Sequence, residues 1–274
     1  LTYVGGSGLG AEFTSFDLSD DGTSLAYLSR SDTFRGIVVL DLATGEYVPL
    51  AGTDGAYLPK LSPDGQWVAF LSLSAVKRVA AVGGAVETLA PASDGWDLIW
   101  SDDGNLYWVD RQGAELRRMR PEPGAPVTTL VEECDCRSVS DWINAGELII
   151  NKRNGFVRLL PDGTLLPVEA SGSHAALLGR DVSLTTRSGR LVGTRVDAQG
   201  TRPGATQRTV LTGLRTTPLT GTGQYTVARN GMLAYVAGPP ADVTSLVRRY
   251  PDGRVEAPAL TALSTRARLA GGAS

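Results

Sequence analysis

The sequence predicts an all-β protein, a six-bladed β-propeller with four antiparallel strands in each blade. Short runs of β-branched and aromatic residues alternate with turns built from Gly, Pro, Asp and Asn, and no helical period is sustained. A turn phrase also recurs along the chain. Its glycines lie at positions 22, 65, 104, 146, 179 and 231, a mean spacing of about 42 residues, which is typical of four-stranded propeller blades.

The clearest copy of the phrase lies in residues 59–72. Ser62-Pro63-Asp64-Gly65 predicts a turn, because Pro presets φ, Asp bonds to nearby backbone and Gly accepts a positive φ. The run that follows, 67–71, is apolar at every position, so we expect both of its faces to meet other protein. A β-hairpin inside a covered sheet is therefore predicted.

The first three copies follow the same order of four strands and three turns. In the first copy the strands are predicted at 16–22 (including the turn), 24–29, 36–41 and 46–50. In the second copy they are predicted at 58–61, 67–72, 76–81 and 86–89. In the third copy they are predicted at 98–104 (including the turn), 105–110, 115–119 and 127–131.

The last three copies are less regular, and the fifth has lost the turn phrase. Their strands are predicted at 138–143, 147–151, 156–160 and 164–168, then at 175–178, 182–186, 190–196 and, after a long Gly- and Pro-bearing excursion, 208–211, then at 225–231 with its turn, 232–237, 245–249 and 255–257. One such sheet is marginal in water, whereas radial packing buries its faces. We expect a Gly-rich connector or closing strand at 1–13, the propeller at 14–260 and a tail at 261–274.

The charge balance argues against nucleic-acid binding, and the hydropathy argues against a membrane-spanning segment or a signal peptide in this sequence. The 26 Lys and Arg against 29 Asp and Glu give a net charge of -3, and no dense basic run is present, so nucleic acid is not an expected partner. No window approaches 18 consecutive apolar residues and no leader pattern is visible, so we expect neither a membrane insertion nor a signal peptide within this sequence.

The two cysteines, Cys134 and Cys136, are separated by one residue. In an extended chain their Cα atoms would be roughly 6.5 to 7 Å apart, which strains a disulfide, so the redox compartment stays open. The alternatives are a metal site and a turn between blades, and the turn is favoured because a closed zinc site needs four ligands.

Five aspartates precede turn glycines: Asp20, Asp21, Asp64, Asp102 and Asp103. They are interpreted as turn formers that accept backbone hydrogen bonds, with a hard-cation site as the alternative if the pairs line the central channel. The only histidine, His174, is interpreted as structural or solvated. We therefore predict no catalytic residue, no cofactor and no bound metal.

Aromatic and basic residues supply the candidates for partner binding. Trp67 is interpreted as core, while Trp96 or Trp142 is predicted to face a partner, because aromatic anchors are enriched at interfaces. The C-terminal region is basic, and its arginines are predicted to dock an acidic surface, with a solvated tail as the alternative. They are Arg248, Arg249, Arg254, Arg266 and Arg268.

The phrase of residues 59–72, followed by a strand and the hairpin Val82-Gly83-Gly84, resembles the repeat of TolB-type six-bladed β-propellers. The order of further motifs, such as 40–45, 52–56 and 221–225, is similar to the propeller that follows the kinase domain in many bacterial serine/threonine protein kinases. The resemblance covers nearly the whole chain, but its matched residues are turn and strand residues. It implies the fold strongly and the role weakly.

The sequence also lacks several catalytic motifs of propeller-containing proteins, and their absence narrows the function that the resemblance implies. No kinase catalytic sequence and no Gly-x-Ser-x-Gly of propeller-associated peptidases is present, and the metal motif of propeller lactonases is not matched. We therefore expect a non-enzymatic, protein-binding scaffold or sensor in the periplasm or another extracytoplasmic compartment, or an accessory subunit of a membrane-associated complex. The alternative is a metal-dependent propeller enzyme of the lactonase or lyase type.

Overall fold

The computed structural model describes residues 16–31, 33–141, 146–168, 173–178, 182–196, 203–216, 223–237, 246–249 and 254–256. The predicted connector at 1–13 and the predicted tail at 261–274 lie outside these residues. The described strands form six four-stranded antiparallel sheets, and each sheet is made of four consecutive strands.

The first three sheets are the best match to the repeat. Sheet 1 contains β1 (Phe16–Leu18), β2 (Ser24–Arg30), β3 (Arg35–Asp41) and β4 (Tyr47–Pro49); sheet 2 contains β5 (Tyr57–Leu61), β6 (Trp67–Ser72), β7 (Ala75–Ala80) and β8 (Glu87–Pro91); sheet 3 contains β9 (Asp97–Trp100), β10 (Leu106–Asp110), β11 (Glu115–Met119) and β12 (Thr128–Val131). A 3-10 turn at Arg111–Gly113 joins β10 to β11.

The second half repeats the arrangement. Sheet 4 contains β13 (Cys136–Asp141), β14 (Leu148–Lys152), β15 (Gly155–Leu159) and β16 (Leu165–Val168); sheet 5 contains β17 (Ser173–Leu178), β18 (Val182–Arg187), β19 (Arg190–Val196) and β20 (Pro203–Thr212); sheet 6 contains β21 (Tyr225–Val227), β22 (Leu233–Val236), β23 (Leu246–Arg249) and β24 (Val255–Glu256).

The first strand of each sheet is its inner strand. β1 contacts β5, β5 contacts β9, and the series continues through β13, β17 and β21 back to β1, so the inner strands form a closed ring. The predicted class, an all-β propeller of four-stranded antiparallel sheets, is confirmed.

The core lies between neighbouring sheets, and β6 shows how the sequence produces it. Val68 and Phe70 pack in the cluster shared with sheet 1, whereas Ala69 and Leu71 pack in the cluster shared with sheet 3. All four are buried. Because successive strand residues point to opposite faces, a continuous apolar run fills both interfaces of one sheet. The prediction that both faces of this run are covered is confirmed.

The recurring phrase forms the predicted turn. In sheet 2 the Gly65 amide donates to the Ser62 carbonyl at 2.8 Å, and the Gln66 amide donates to Asp64 Oδ1 at 3.0 Å. Gly65 has a φ of 69°, which a residue with a Cβ adopts only at a cost. The Ser62 hydroxyl closes the turn by donating to Asp64 Oδ1 at 2.5 Å and accepting from the Trp67 amide.

The structure corrects two predictions, one about a side chain and one about the start of a strand. Trp67 is half-buried rather than core, with the Arg78 guanidinium 4.0 Å from its ring centroid, because it begins its strand beside the turn. The core tryptophan is Trp108, which is fully buried between sheets 2 and 3. In the fifth sheet, the last strand begins at Pro203 instead of 208, because Pro203 pairs with Val196 across the predicted excursion.

The cysteines form a disulfide, contrary to the argument from an extended chain. Asp135, between them, has a φ of 51°, so the chain turns and the two Cα atoms are 5.0 Å apart. Both cysteines are buried between sheets 3 and 4. The favoured interpretation, a turn between two blades, is confirmed, since Cys134 and Cys136 connect β12 to β13.

Candidate functional site

Three charged side chains on inner strands form what we call the inner polar cluster: Asp17 on β1, Lys60 on β5 and Asp97 on β9. Asp17 Oδ2 accepts a hydrogen bond from the Leu61 amide at 3.0 Å, and its Oδ1 accepts one from the Thr226 hydroxyl at 3.0 Å. The Lys60 ammonium lies 3.5 Å from Asp17 Oδ1. One carboxylate therefore joins sheets 2 and 6 to sheet 1.

Asp97 has the same role between sheets 3 and 4. Its Oδ2 accepts a hydrogen bond from the Val139 amide at 2.8 Å and its Oδ1 accepts one from the Leu98 amide at 3.0 Å. Burial raises the pKa of Asp97 to about 6, although Lys60 and the two amides oppose the shift. Burial likewise raises the pKa of Asp17 against the opposing effect of Lys60.

A second group, the turn triad, consists of Asp20, Asp102 and Arg229, one residue from each of three strand-connecting turns. Arg229 Nε lies 2.6 Å from Asp20 Oδ2, and its Nη2 contacts Asp102 Oδ1. The turns of sheets 1, 3 and 6 therefore meet at one arginine. The interpretation of Asp20 and Asp102 as turn formers is wrong, because their carboxylates bind this guanidinium.

The neighbouring aspartates do form the turns. Asp21, Asp64 and Asp103 each accept a hydrogen bond from the backbone amide two residues on. The hydroxyl of Ser19 lowers the pKa of Asp21, and that of Ser62 lowers the pKa of Asp64. Within the described ranges no three His, Cys, Asp or Glu side chains are grouped so as to hold a metal ion.

A third feature is a cavity of about 430 Å³ on sheet 5, which we call the sheet 5 cavity. It is lined by Arg187, Ser188, Arg190, Val192, Gln207 and Thr209. The first three belong to the hairpin between β18 and β19, and the others lie on β19 and β20. This site was not predicted from the sequence, because the fifth copy lacks the recurring turn phrase.

The predicted partner-binding residues fall in separate places. Trp96 precedes β9, is partly buried and packs against the cluster between sheets 3 and 4, with the backbone of Gly113 close to its ring. Trp142 lies outside the described residues. Trp96 therefore packs inside the interface between sheets 3 and 4, and a role of Trp96 in partner binding stays a prediction.

Three of the five predicted arginines are placed on the outer half of sheet 6, whereas Arg266 and Arg268 lie outside the described residues. Arg248 and Arg249 are on β23, where Arg248 pairs with Ala234 of β22 and with Glu256 of β24. Arg254 is exposed and immediately precedes β24. The only histidine, His174, lies on β17, and its backbone alone is described.

Comparison with known proteins shows the fold of the chain. Neither a protein-family model nor a curated protein sequence matches it. It is similar to a solved structure of catalytically inactive virginiamycin B lyase from Staphylococcus aureus with quinupristin, with a TM-score of 0.57 and 14% identity over 92% of this chain and 86% of that chain.

Two further solved structures have the same architecture. The TolB structure from Acinetobacter baumannii has a TM-score of 0.52 and 13% identity over 71% of this chain, which spans 55% of that chain. A structure of a nidogen/laminin complex has a TM-score of 0.55 and 12% identity over 70% of this chain and 78% of that chain. The described part of the chain contains no helix long and apolar enough to cross a membrane.

Proposed function

We propose that this chain is a protein-binding β-propeller, a scaffold or sensor that works by binding rather than by catalysis. The carrying observation is that four carboxylates, two on inner strands and two in the turns that follow inner strands, are already bound by other groups of the protein. Asp17 and Asp97 accept hydrogen bonds from neighbouring sheets, and Asp20 and Asp102 bind Arg229. Carboxylates held in this way stabilise the ring and are poorly placed to act as an acid, a base or a metal ligand.

The partner surface that we propose is the outer half of sheet 6, where Arg248 and Arg249 lie on β23 and Arg254 immediately precedes β24. Clustered arginines favour an acidic protein surface, because the planar guanidinium binds carboxylates through paired hydrogen bonds. A fold shared with a structure of the nidogen/laminin complex supports a binding role.

The proposed compartment is extracytoplasmic. The disulfide between Cys134 and Cys136 supports this, because such bonds persist in oxidising compartments and are rare in the cytosol. We also propose that the six sheets are the six blades of a sensor propeller. The turn phrase suggests the type that follows the kinase domain in bacterial serine/threonine protein kinases. Thiol labelling of the protein as isolated tests the compartment, since free cysteines would contradict it.

The binding proposal is tested by capturing partners from the source cells on immobilised protein. The test variant carries Arg248→Ser, Arg249→Ser and Arg254→Ser, and the control carries the same charge change at the exposed Arg30, Arg35 and Arg120. We expect a captured protein that the test variant loses and the control keeps. Equal capture by both variants contradicts the proposed surface, and turnover of an ester, lactone or glycoside by the purified chain contradicts the absence of catalysis.

A further inference from the structure

Sheet 5 differs from the rest of the molecule in charge. Residues 182–216 contain six arginines and one acidic residue, Asp197, although the chain as a whole has a net charge of -3. The described residues of this segment, 182–196 and 203–216, contain arginine but no Asp, Glu or Lys. An ordinary surface mixes both signs of charge, so a surplus of one sign within one sheet indicates a specific use.

The hairpin between β18 and β19 brings two of these arginines together. Ser188 and Gly189 have φ values of 46° and 71°, which is the backbone of a tight two-residue turn. The turn sets Arg187 directly opposite Arg190 in the sheet register. Directly opposed residues share a face with Cβ atoms about 4.5 to 5.5 Å apart, and like charges in that position destabilise a hairpin.

The two arginines open onto the sheet 5 cavity. Across the sheet, Val192 is paired with Thr209, and Gln207 lies two residues before Thr209 on the same face. The cavity is thus lined by two guanidinium groups, two hydroxyls, one amide and one apolar side chain. Its volume of about 430 Å³ lies within the range of small-molecule sites.

We propose that the sheet 5 cavity binds a small anion that carries a phosphate or carboxylate group. The anion would bind the Arg190 guanidinium, whose planar fork suits both groups, beside Arg187 in the same cavity lining. Ser188, Thr209 and Gln207 supply further donors, and Val192 contacts an apolar part of the ligand. No residue in the described part of the chain forms a hydrogen bond or ion pair with the Arg190 guanidinium, so this group is available to a ligand.

The test is a titration of the whole chain with sodium phosphate or sodium succinate, read by thermal unfolding against sodium chloride of equal ionic strength. A ligand that binds the folded state raises the midpoint in a saturable way. We expect such a rise with at least one anion. The stronger of the two identifies the group, since phosphate and carboxylate share the same donors but differ in charge and shape. No rise with either anion overturns the proposal.

Two variants separate a specific site from a general effect of charge. Arg190→Gln is expected to weaken anion binding at least tenfold. Arg208→Gln is the matched control, because Arg208 is exposed on the same sheet but does not line the cavity. It is expected to bind as the unaltered chain does. Equal weakening by both variants overturns the site.

The midpoint in anion-free buffer gives an independent readout. Removing one of two opposed like charges is expected to leave the Arg190→Gln protein at least as stable as the unaltered chain. A lower midpoint without anion would assign Arg190 a structural role and overturn the proposal. Arg190→Lys keeps the charge but loses the fork, so it is expected to bind with intermediate strength.

Discussion

Two interfaces between neighbouring sheets of the ring are stabilised in different ways. They are the 3–4 interface, between sheets 3 and 4, and the 6–1 interface, between sheets 6 and 1. In each, an inner-strand aspartate joins the two sheets. Asp97 accepts from the Val139 amide in the first, and Asp17 accepts from the Thr226 hydroxyl in the second. Each interface also has an apolar cluster drawn from both sheets.

The difference lies in how the chain connects the two sheets. At the 3–4 interface β12 ends at Val131 and β13 begins at Cys136, so a short disulfide-closed turn holds the sheets together. At the 6–1 interface the contacting residues are 209 positions apart. Bringing distant segments together costs more chain entropy.

The 6–1 interface has additional polar contacts in its turns. Arg229 binds Asp20, and the Asn230 side-chain amide donates to the Asp21 carbonyl at 2.5 Å. Among the described residues, the 6–1 interface, which lacks a short connection, therefore has more directional side-chain contacts than the 3–4 interface.

The largest expected effect comes from Asp17→Ala, which removes the one carboxylate that both Leu61 and Thr226 use. A buried amide then lacks its acceptor and Lys60 loses its ion pair with Asp17, so we expect a loss of about 3 to 4 kcal/mol in the free energy of unfolding. Urea unfolding measures it. Asp162→Ala, at an exposed turn of sheet 4, is the control and should change stability far less. Similar losses for both would show that Asp17 does not hold the ring.

The 3–4 interface is tested by pH. The pKa of Asp97 is raised to about 6 in the folded state from 3.8, so the folded chain binds more protons between these values and its stability falls as the pH rises through them. We expect Asp97→Asn to lose this slope. The stability of the unaltered chain relative to the variant should therefore fall by about 2 to 3 kcal/mol between pH 4 and pH 7. Urea unfolding across that range measures it, and a difference that does not change with pH would contradict the assignment.

A matched pair of glycines isolates the 6–1 interface. Gly22 and Gly65 occupy the same place in the turn phrase, with φ values of 70° and 69°. A Cβ on Gly65 would meet nothing within 4 Å, whereas one on Gly22 would lie 2.8 Å from the Asn230 side chain and 3.0 Å from that of Met232. Gly65→Ala should cost about 1 kcal/mol from backbone strain alone, and Gly22→Ala about 2 kcal/mol. Thermal or urea unfolding measures both changes. Equal losses of stability for the two variants would mean that Asn230 and Met232 move aside for the added Cβ without loss of stability.

The smallest effect is expected from the turn triad. Arg229 is half exposed and Asp20 about a third exposed, so solvent screens their attraction. Arg229→Gln should cost about 0.5 to 1 kcal/mol, and less in high salt. A double-mutant cycle with Asp20→Asn measures the coupling, and a value of zero would leave the 6–1 interface dependent on Asp17 and the apolar cluster.

The sequence alone predicted the fold class and most strands, because the determinants are local. Each Ser-Asp-Gly phrase carries its own turn chemistry, and the apolar run of β6 displays both buried faces. The described turn glycines at 22, 65, 104, 146 and 231 all have positive φ, as the phrase requires. The fifth turn glycine, Gly179, lies outside the described residues.

The candidate sites were harder to predict, because they depend on distant partners. Within Asp20-Asp21 and Asp102-Asp103, spacing does not reveal that the first residue of each pair reaches Arg229. One sequence pattern could have indicated the sheet 5 cavity: the Arg-Ser-Gly-Arg hairpin lies in a segment with a single acidic residue. The charge of the whole chain is nearly balanced, so the total does not show this local excess of arginine. The burial of Trp67 was predicted wrongly because an apolar run does not show whether its first residue, next to the turn, is covered by a neighbouring sheet.

The construction of every described sheet from consecutive strands has a consequence for how such a molecule changes over time. Duplication or deletion of one genetic unit of about 40 codons adds or removes a whole sheet, without leaving any strand lacking a hydrogen-bonded neighbour. Only the inner-strand aspartates and the arginine that bridges three turns must then find new partners, so these few positions limit how readily the ring is resized.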